Sequence, residues 1–93
     1  MTDYRFTPNP IIVTAGRVRF LAANVGTVGH DFTVLTPDGS RRIAHSELVQ
    51  PGDRVMLTVE LGPGRYAVIC TQPGHQELGM EVTLIASPAQ NGG

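Results

Sequence analysis

Downstream of Pro51-Gly52-Asp53 the chain alternates cleanly, with Val55, Leu57, Val59 and Leu61 on one side and Arg54, Met56, Thr58 and Glu60 on the other. A period of two over eight residues predicts a β-strand with one face on a core and the other in water. Arg17-Val18-Arg19-Phe20 alternates in the same sense, and its strand continues through Leu21-Ala22. Ile11-Ile12-Val13, His30 to Leu35, Tyr66 to Cys70 and Glu81 to Ile85 are short β-branched or aromatic runs that read as further strands. Tyr4-Arg5-Phe6 reads as an edge strand ended by Pro8 and Pro10, because proline cannot donate to a ladder.

Turn signals separate these runs. Asn24 to Gly29 reads as a loop, Thr36-Pro37-Asp38-Gly39 has a strong turn composition, and Leu61-Gly62-Pro63-Gly64 turns the chain into the strand that starts at Tyr66. A Tyr just after a Gly-containing corner resembles the tyrosine corner of Greek-key sandwiches. Ser40 to Gln50 has no clear period and reads as irregular: Arg42 to Ala44 could be strand and Ser46 to Leu48 one helical turn. About seven to eight short strands, with no long helical period, predict an all-β fold, a Greek-key antiparallel β-sandwich. Residues 1–86 form its single domain, and 87–93 read as a flexible C-terminal tail.

Composition narrows the function by exclusion. The 93 residues carry a formal net charge of -1, and all seven basic residues are Arg, scattered apart from Arg41-Arg42. No basic stripe points to nucleic acid or an anionic membrane. No apolar run approaches the ~20 residues of a membrane helix. The N-terminus lacks the basic and apolar regions of a signal peptide, so either the protein is cytoplasmic or a leader is absent from this sequence. With one cysteine no internal disulfide can form, so Cys70 is inert, reactive or ligated.

Candidate chemistry concentrates in Cys70-Thr71-Gln72-Pro73-Gly74-His75-Gln76-Glu77-Leu78-Gly79-Met80. A thiolate, an imidazole and a thioether, each separated from the next by four residues, are the soft donors that favour copper over magnesium or calcium. Electron-transfer copper sites combine two imidazoles and a thiolate with a weak axial thioether. His30 heads a strand whose loop can meet the Cys70–Met80 loop at one end of a sandwich. A lone cysteine closing an apolar strand is ordinarily a small buried hydrophobe, but packing gives no reason for the flanking Pro-Gly-His and Gly-Met. A cysteine hydrolase would need an orienting partner and an oxyanion hole in a cleft. Structural zinc has no use for a thioether. Met56 reads as core filler and His45 as a solvated residue.

Asn24-x-Gly26-x3-His30-Asp31-Phe32, Pro51-Gly52-Asp53 and Gly64-x-Tyr66-x3-Cys70-x2-Pro73-Gly74-His75-x3-Gly79-Met80 together resemble the cupredoxins, the small type 1 blue copper proteins. The resemblance runs from about Phe6 to Ile85. It implies one copper ion, with His30, Cys70 and His75 as equatorial ligands and Met80 as the axial one. It also implies a monomer that carries single electrons and is not an enzyme. Redox proteins would dock transiently around His75, at a rim drawn from Pro8, Pro10, Val28, Gly29, Pro73, Gly74 and Leu78. The family implies a periplasmic or cell-surface location, with a leader or anchor absent from this sequence. A copper carrier or buffer could use the same four ligands. Phe32 or Leu78 would shield the site. In the family the position after the first histidine is often Asn; here it is Asp31, expected to bond Thr71 and to lower the reduction potential.

Overall fold

Strand alternation decides which side chains the fold buries. In the computed structural model, which describes residues 1–2, 6, 9–75 and 80–88, the strands are β1 (Ile11–Thr14), β2 (Gly16–Ala23), β3 (Thr33–Leu35), β4 (Arg42–His45), β5 (Arg54–Leu61), β6 (Gly64–Ile69) and β7 (Glu81–Ser87). They form a five-stranded sheet in the order β1-β7-β6-β3-β4 and a two-stranded sheet, β2-β5. Among the described residues there are seven strands and no helix.

The β2–β5 register sets Val18 opposite Val59 and Phe20 opposite Leu57, so the apolar sides of both alternations turn inward together. From the other sheet Val34, Val68 and Leu84 meet them, each fully buried. Phe32 bridges the layers, with its ring centroid 4.9 Å from Phe20 and 5.8 Å, edge-on, from Phe6. Offset and edge-to-face geometries let three aromatic rings share a core this small.

The sandwich is all-β, as expected, but one of its pairings is parallel. β1 runs parallel to β7, Ile11 opposite Leu84, while the other four strand pairs are antiparallel. A three-residue β-branched run shows that a strand exists and says nothing of its direction. Ser40–Gln50 is more regular than expected: β4 lies inside it, and Val49 forms a bridge with His30. A register shift between Val34 and Leu35, where β3 meets β4, blurs the period in that segment. Met56 is not core filler; it lies 59% exposed on the outer face of β5, opposite Leu21. The alternation already places Met56 there, beside Arg54 and Thr58.

The Tyr66 hydroxyl donates to the Gly62 carbonyl at 2.8 Å, closing the expected tyrosine corner. His45 is exposed. β7 runs through Ser87, whose carbonyl accepts from Ala15 N–H at 2.7 Å. Tyr4, Arg5 and residues 89–93 lie outside the described residues.

Candidate metal centre

Three adjacent strands bring the donors to one end of the five-stranded sheet. β3 and β6 are paired with Thr33 opposite Ile69, so the residues before Thr33 and after Ile69 run alongside each other beyond the ladder. That places His30 and Asp31 next to Cys70 and Thr71. β7 pairs with β6 with Glu81 opposite Ile69, so Met80 falls beside Cys70, and Cys70 N–H donates to the Met80 carbonyl at 3.3 Å. His75 arrives on the turn Gln72-Pro73-Gly74-His75. Its N–H donates to the Gln72 carbonyl at 3.1 Å, and Gly74 takes φ +79°. Proline at the second position and a positive φ at the third define a type II turn, a conformation that favours glycine at Gly74.

His30, Cys70 and Met80 are buried, and His75 is half-buried. The Nδ1 atoms of His30 and His75 are 3.2 Å apart, and Cys70 Sγ is 3.4 Å from His75 Nδ1 and 3.9 Å from His30 Nδ1. A circle through three points with those separations has a radius of about 2.0 Å, against ~2.0–2.1 Å for metal–nitrogen and ~2.3 Å for metal–sulfur bonds in zinc sites. The triangle therefore has the size of a metal coordination plane. Two imidazoles and one thiolate, with a methionine joined by backbone bonds to both Cys70 and His75, form the donor set that suits copper.

Burial pushes the Cys70 thiol up, and the nearby Asp31 charge adds to that, while backbone N–H groups of Asp31 and Gln72 oppose it. The Asp31 N–H points at Sγ from 3.4 Å. Burial and the Asp31 charge thus favour the protonated thiol, and a cation that binds Sγ has to displace its proton.

Asp31 itself is an acceptor hub. Oδ1 accepts from Thr33 Oγ1 at 2.8 Å and Thr71 N at 3.0 Å; Oδ2 accepts from Thr71 Oγ1 at 2.6 Å, Gln72 Nε2 at 3.1 Å and Thr71 N at 3.2 Å. Burial resists ionisation of this carboxyl, but the bonds from Thr71, Gln72 and Thr33 together outweigh it and hold the pKa below the usual carboxylate range.

The structure brings together His30, Cys70 and His75, and places Met80 at the neighbouring backbone position. The expected Asp31–Thr71 bond is present. Pro73, Gly74, Val28 and Pro10 are exposed and Gly29 is half-buried, whereas Pro8 and Leu78 lie outside the described residues. Phe32 turns into the core against Phe6 and Phe20.

The sequence assigned no role to three contributors, although Asn24 opens the motif that precedes His30. Asn24 is buried, donates from Nδ2 to the carbonyls of Val28 and Val49 at 2.8 Å each, and accepts from Gly26 N–H, so it ties the loop before His30 to the segment that pairs with it. Ser46 Oγ accepts from Phe32 N–H at 2.9 Å. Gln72 bonds Asp31 through its side chain and His75 through its carbonyl. For Gln72 the Pro-Gly signature of the turn was the available signal.

No protein-family model matches the chain. An azurin of Pseudomonas aeruginosa is 32% identical over 80 residues, covering 82% of this chain and 53% of the azurin. Outer membrane protein H.8 of Neisseria meningitidis serogroup B is 37% identical over 65 residues, covering 66% of this chain and 34% of that protein. The chain thus spans about half the length of the azurin and a third of the outer membrane protein. The dithionite-reduced auracyanin of Roseiflexus castenholzii has a similar structure, with a TM-score of 0.80 at 18% identity over 94% of this chain and 91% of the auracyanin. The likeness is one of fold: a two-layer sandwich of the cupredoxin kind, here with ligand-type side chains gathered at one end. The chain has the cupredoxin fold, and its sequence is similar to that of an azurin.

Proposed function

We propose that this domain is a type 1 copper protein that carries single electrons between redox partners, with His30, Cys70 and His75 as equatorial ligands and Met80 as the axial one. The metal-sized triangle of Nδ1, Nδ1 and Sγ carries this reading. Copper, when bound, supplies a one-electron couple. The chain's contribution is to hold the donors in place before any ion arrives. His30 is fixed by its two backbone bonds with Val49, at 3.1 and 2.7 Å, and Cys70 by its bond to Met80. A frame that keeps one arrangement in both oxidation states lowers the rearrangement each transfer requires.

His75 is the least buried of the three clustered donors and is flanked by exposed Pro73 and Gly74. That supports a small, weakly charged contact around His75 for transient docking of redox proteins to a monomer, where fast release matters more than affinity. The domain alone transforms no substrate. A location outside the cytoplasm is supported by similarity to a protein named for the outer membrane; no described helix is long and apolar enough to cross a membrane.

Protein-film voltammetry of the copper-loaded chain tests the electron-carrier reading. A reversible one-electron wave that persists over repeated cycles, without loss of metal to a competing chelator, is expected. Rapid loss of the ion to the chelator on reduction would instead identify a copper carrier or buffer.

A further inference from the structure

The turn that carries His75 is locally well defined, but a type II turn does not by itself fix how it sits on the sheet. Its first residue is held by a contact outside the turn. Gln72 Nε2 donates to Asp31 Oδ2 at 3.1 Å, while the Gln72 carbonyl accepts the His75 N–H at 3.1 Å. Asp31 is in turn fixed by Thr33 and Thr71, and its own N–H points at Cys70 Sγ. One side chain therefore links the anchored carboxylate to the turn that sets the 3.4 Å separation of His75 Nδ1 from Cys70 Sγ.

We propose that Gln72 is a positioning residue: its carboxamide, anchored on Asp31, clamps the Gln72–His75 turn to the sheet and holds the His75 ring against Cys70. The metal-related consequence rests on the copper reading above; the clamp itself is a property of the metal-free chain. The pairing has a definite polarity. Every group that reaches Asp31 is a donor, so the acceptor has to be a carboxylate for all five bonds to form at once. Gln72 supplies a donor and Asp31 only acceptors.

Three variants separate the clamp from general destabilisation. Gln72→Met keeps the length and removes the donor. Gln72→Glu keeps the shape and sets a second carboxylate against Asp31. Asp31→Asn combined with Gln72→Glu restores the bond in reverse, with Asn donating to Glu while its oxygen still accepts from Thr33 and the Thr71 N–H.

Amide hydrogen exchange in the metal-free protein reads the turn directly. The His75 N–H should exchange about tenfold faster in both single variants, the effect of one hydrogen bond to a charged acceptor at a partly exposed site. The Val34 and Val68 amides should be unchanged, and the double variant should return His75 towards its original protection. In the loaded protein, release of Cu(II) to a chelator should accelerate in the same order and recover in the double variant. Unchanged His75 exchange in both single variants overturns the clamp, as does a double variant no better protected than Gln72→Glu. The exchange experiment decides the clamp whatever the copper experiment shows, so the two readings fail separately.

Discussion

Replacing Asp31 by Asn and by Leu separates a carboxylate that organises the ligand loop from one that merely fills space. Asp31 is 5% exposed and receives five hydrogen bonds, from Thr33, Thr71 and Gln72. In Asp31→Asn the remaining oxygen still serves the Thr33 hydroxyl and the Thr71 N–H, and the Thr71 hydroxyl can rotate to accept from the new amide. Loss of the charge and of the Gln72 bond then costs about 1 kcal/mol. In Asp31→Leu the Thr33 hydroxyl and Thr71 N–H lose their acceptor in a site that is mostly dry, at about 1–3 kcal/mol each, offset in part by added apolar burial. The net expectation is about 2–4 kcal/mol, and each kcal/mol lowers the Tm of a domain this size by roughly 4–8 °C. Urea unfolding of the metal-free variants, with the m-value checked for constancy, reads both changes. A Leu variant as stable as the parent would refute the reasoning, because shape alone would then account for the site. In the loaded protein Asp31→Asn removes a negative charge beside Cys70 and should raise the reduction potential.

Leu84 is fully buried in β7, beside Tyr66 of β6 and Ile11 of β1, and Leu84→Ala should cost about 2–5 kcal/mol in the same unfolding measurement; a loss under about 1 kcal/mol would place the core elsewhere. Tyr66→Phe removes only the bond to the Gly62 carbonyl and should cost about 0.5–1.5 kcal/mol with the visible spectrum of the loaded protein unchanged. Asp38 is held down to about 2, first by the Ser40 N–H and then by the Thr36 and Ser40 hydroxyls. Its folded pKa lies below its unfolded value, so its contribution is complete above about pH 4 and is lost as pH falls towards 2. Asp38→Asn should flatten stability against pH across that window, and an unchanged acid limb would show that the turn bonds do not act on the carboxylate.

The strands that face a core on one side and water on the other were legible in the chain, because a period of two leaves a direct trace. β2 and β5 were read almost to their ends, as was the tyrosine corner, whose Gly-Pro-Gly composition is conformational. Direction and edge pairing left no such trace. The parallel β1–β7 pair and the irregular edge strand β4 depend on contacts between distant segments. The same division holds at the site. Cys70, His75 and Met80 stand out because their donors are scarce in the sequence, and His30 because it heads a strand. Asn24, Ser46 and Gln72 use ordinary amide and hydroxyl groups, whose roles depend on which carbonyl, N–H or carboxylate lies within about 3 Å in the fold. Asp31 sits between these cases. The sequence pointed to its bond with Thr71, whereas the contributions of Thr33 and Gln72 emerge only from the fold.

The central claim, that Cys70, His30 and His75 form one copper plane, is tested most directly by titrating the metal-free protein with Cu(II) while recording visible absorption and electron spin resonance. An intense blue or green band that saturates at one equivalent and is lost in Cys70→Ser is the predicted result. A wild-type protein that stays colourless with its thiol free after one equivalent of Cu(II) would contradict it.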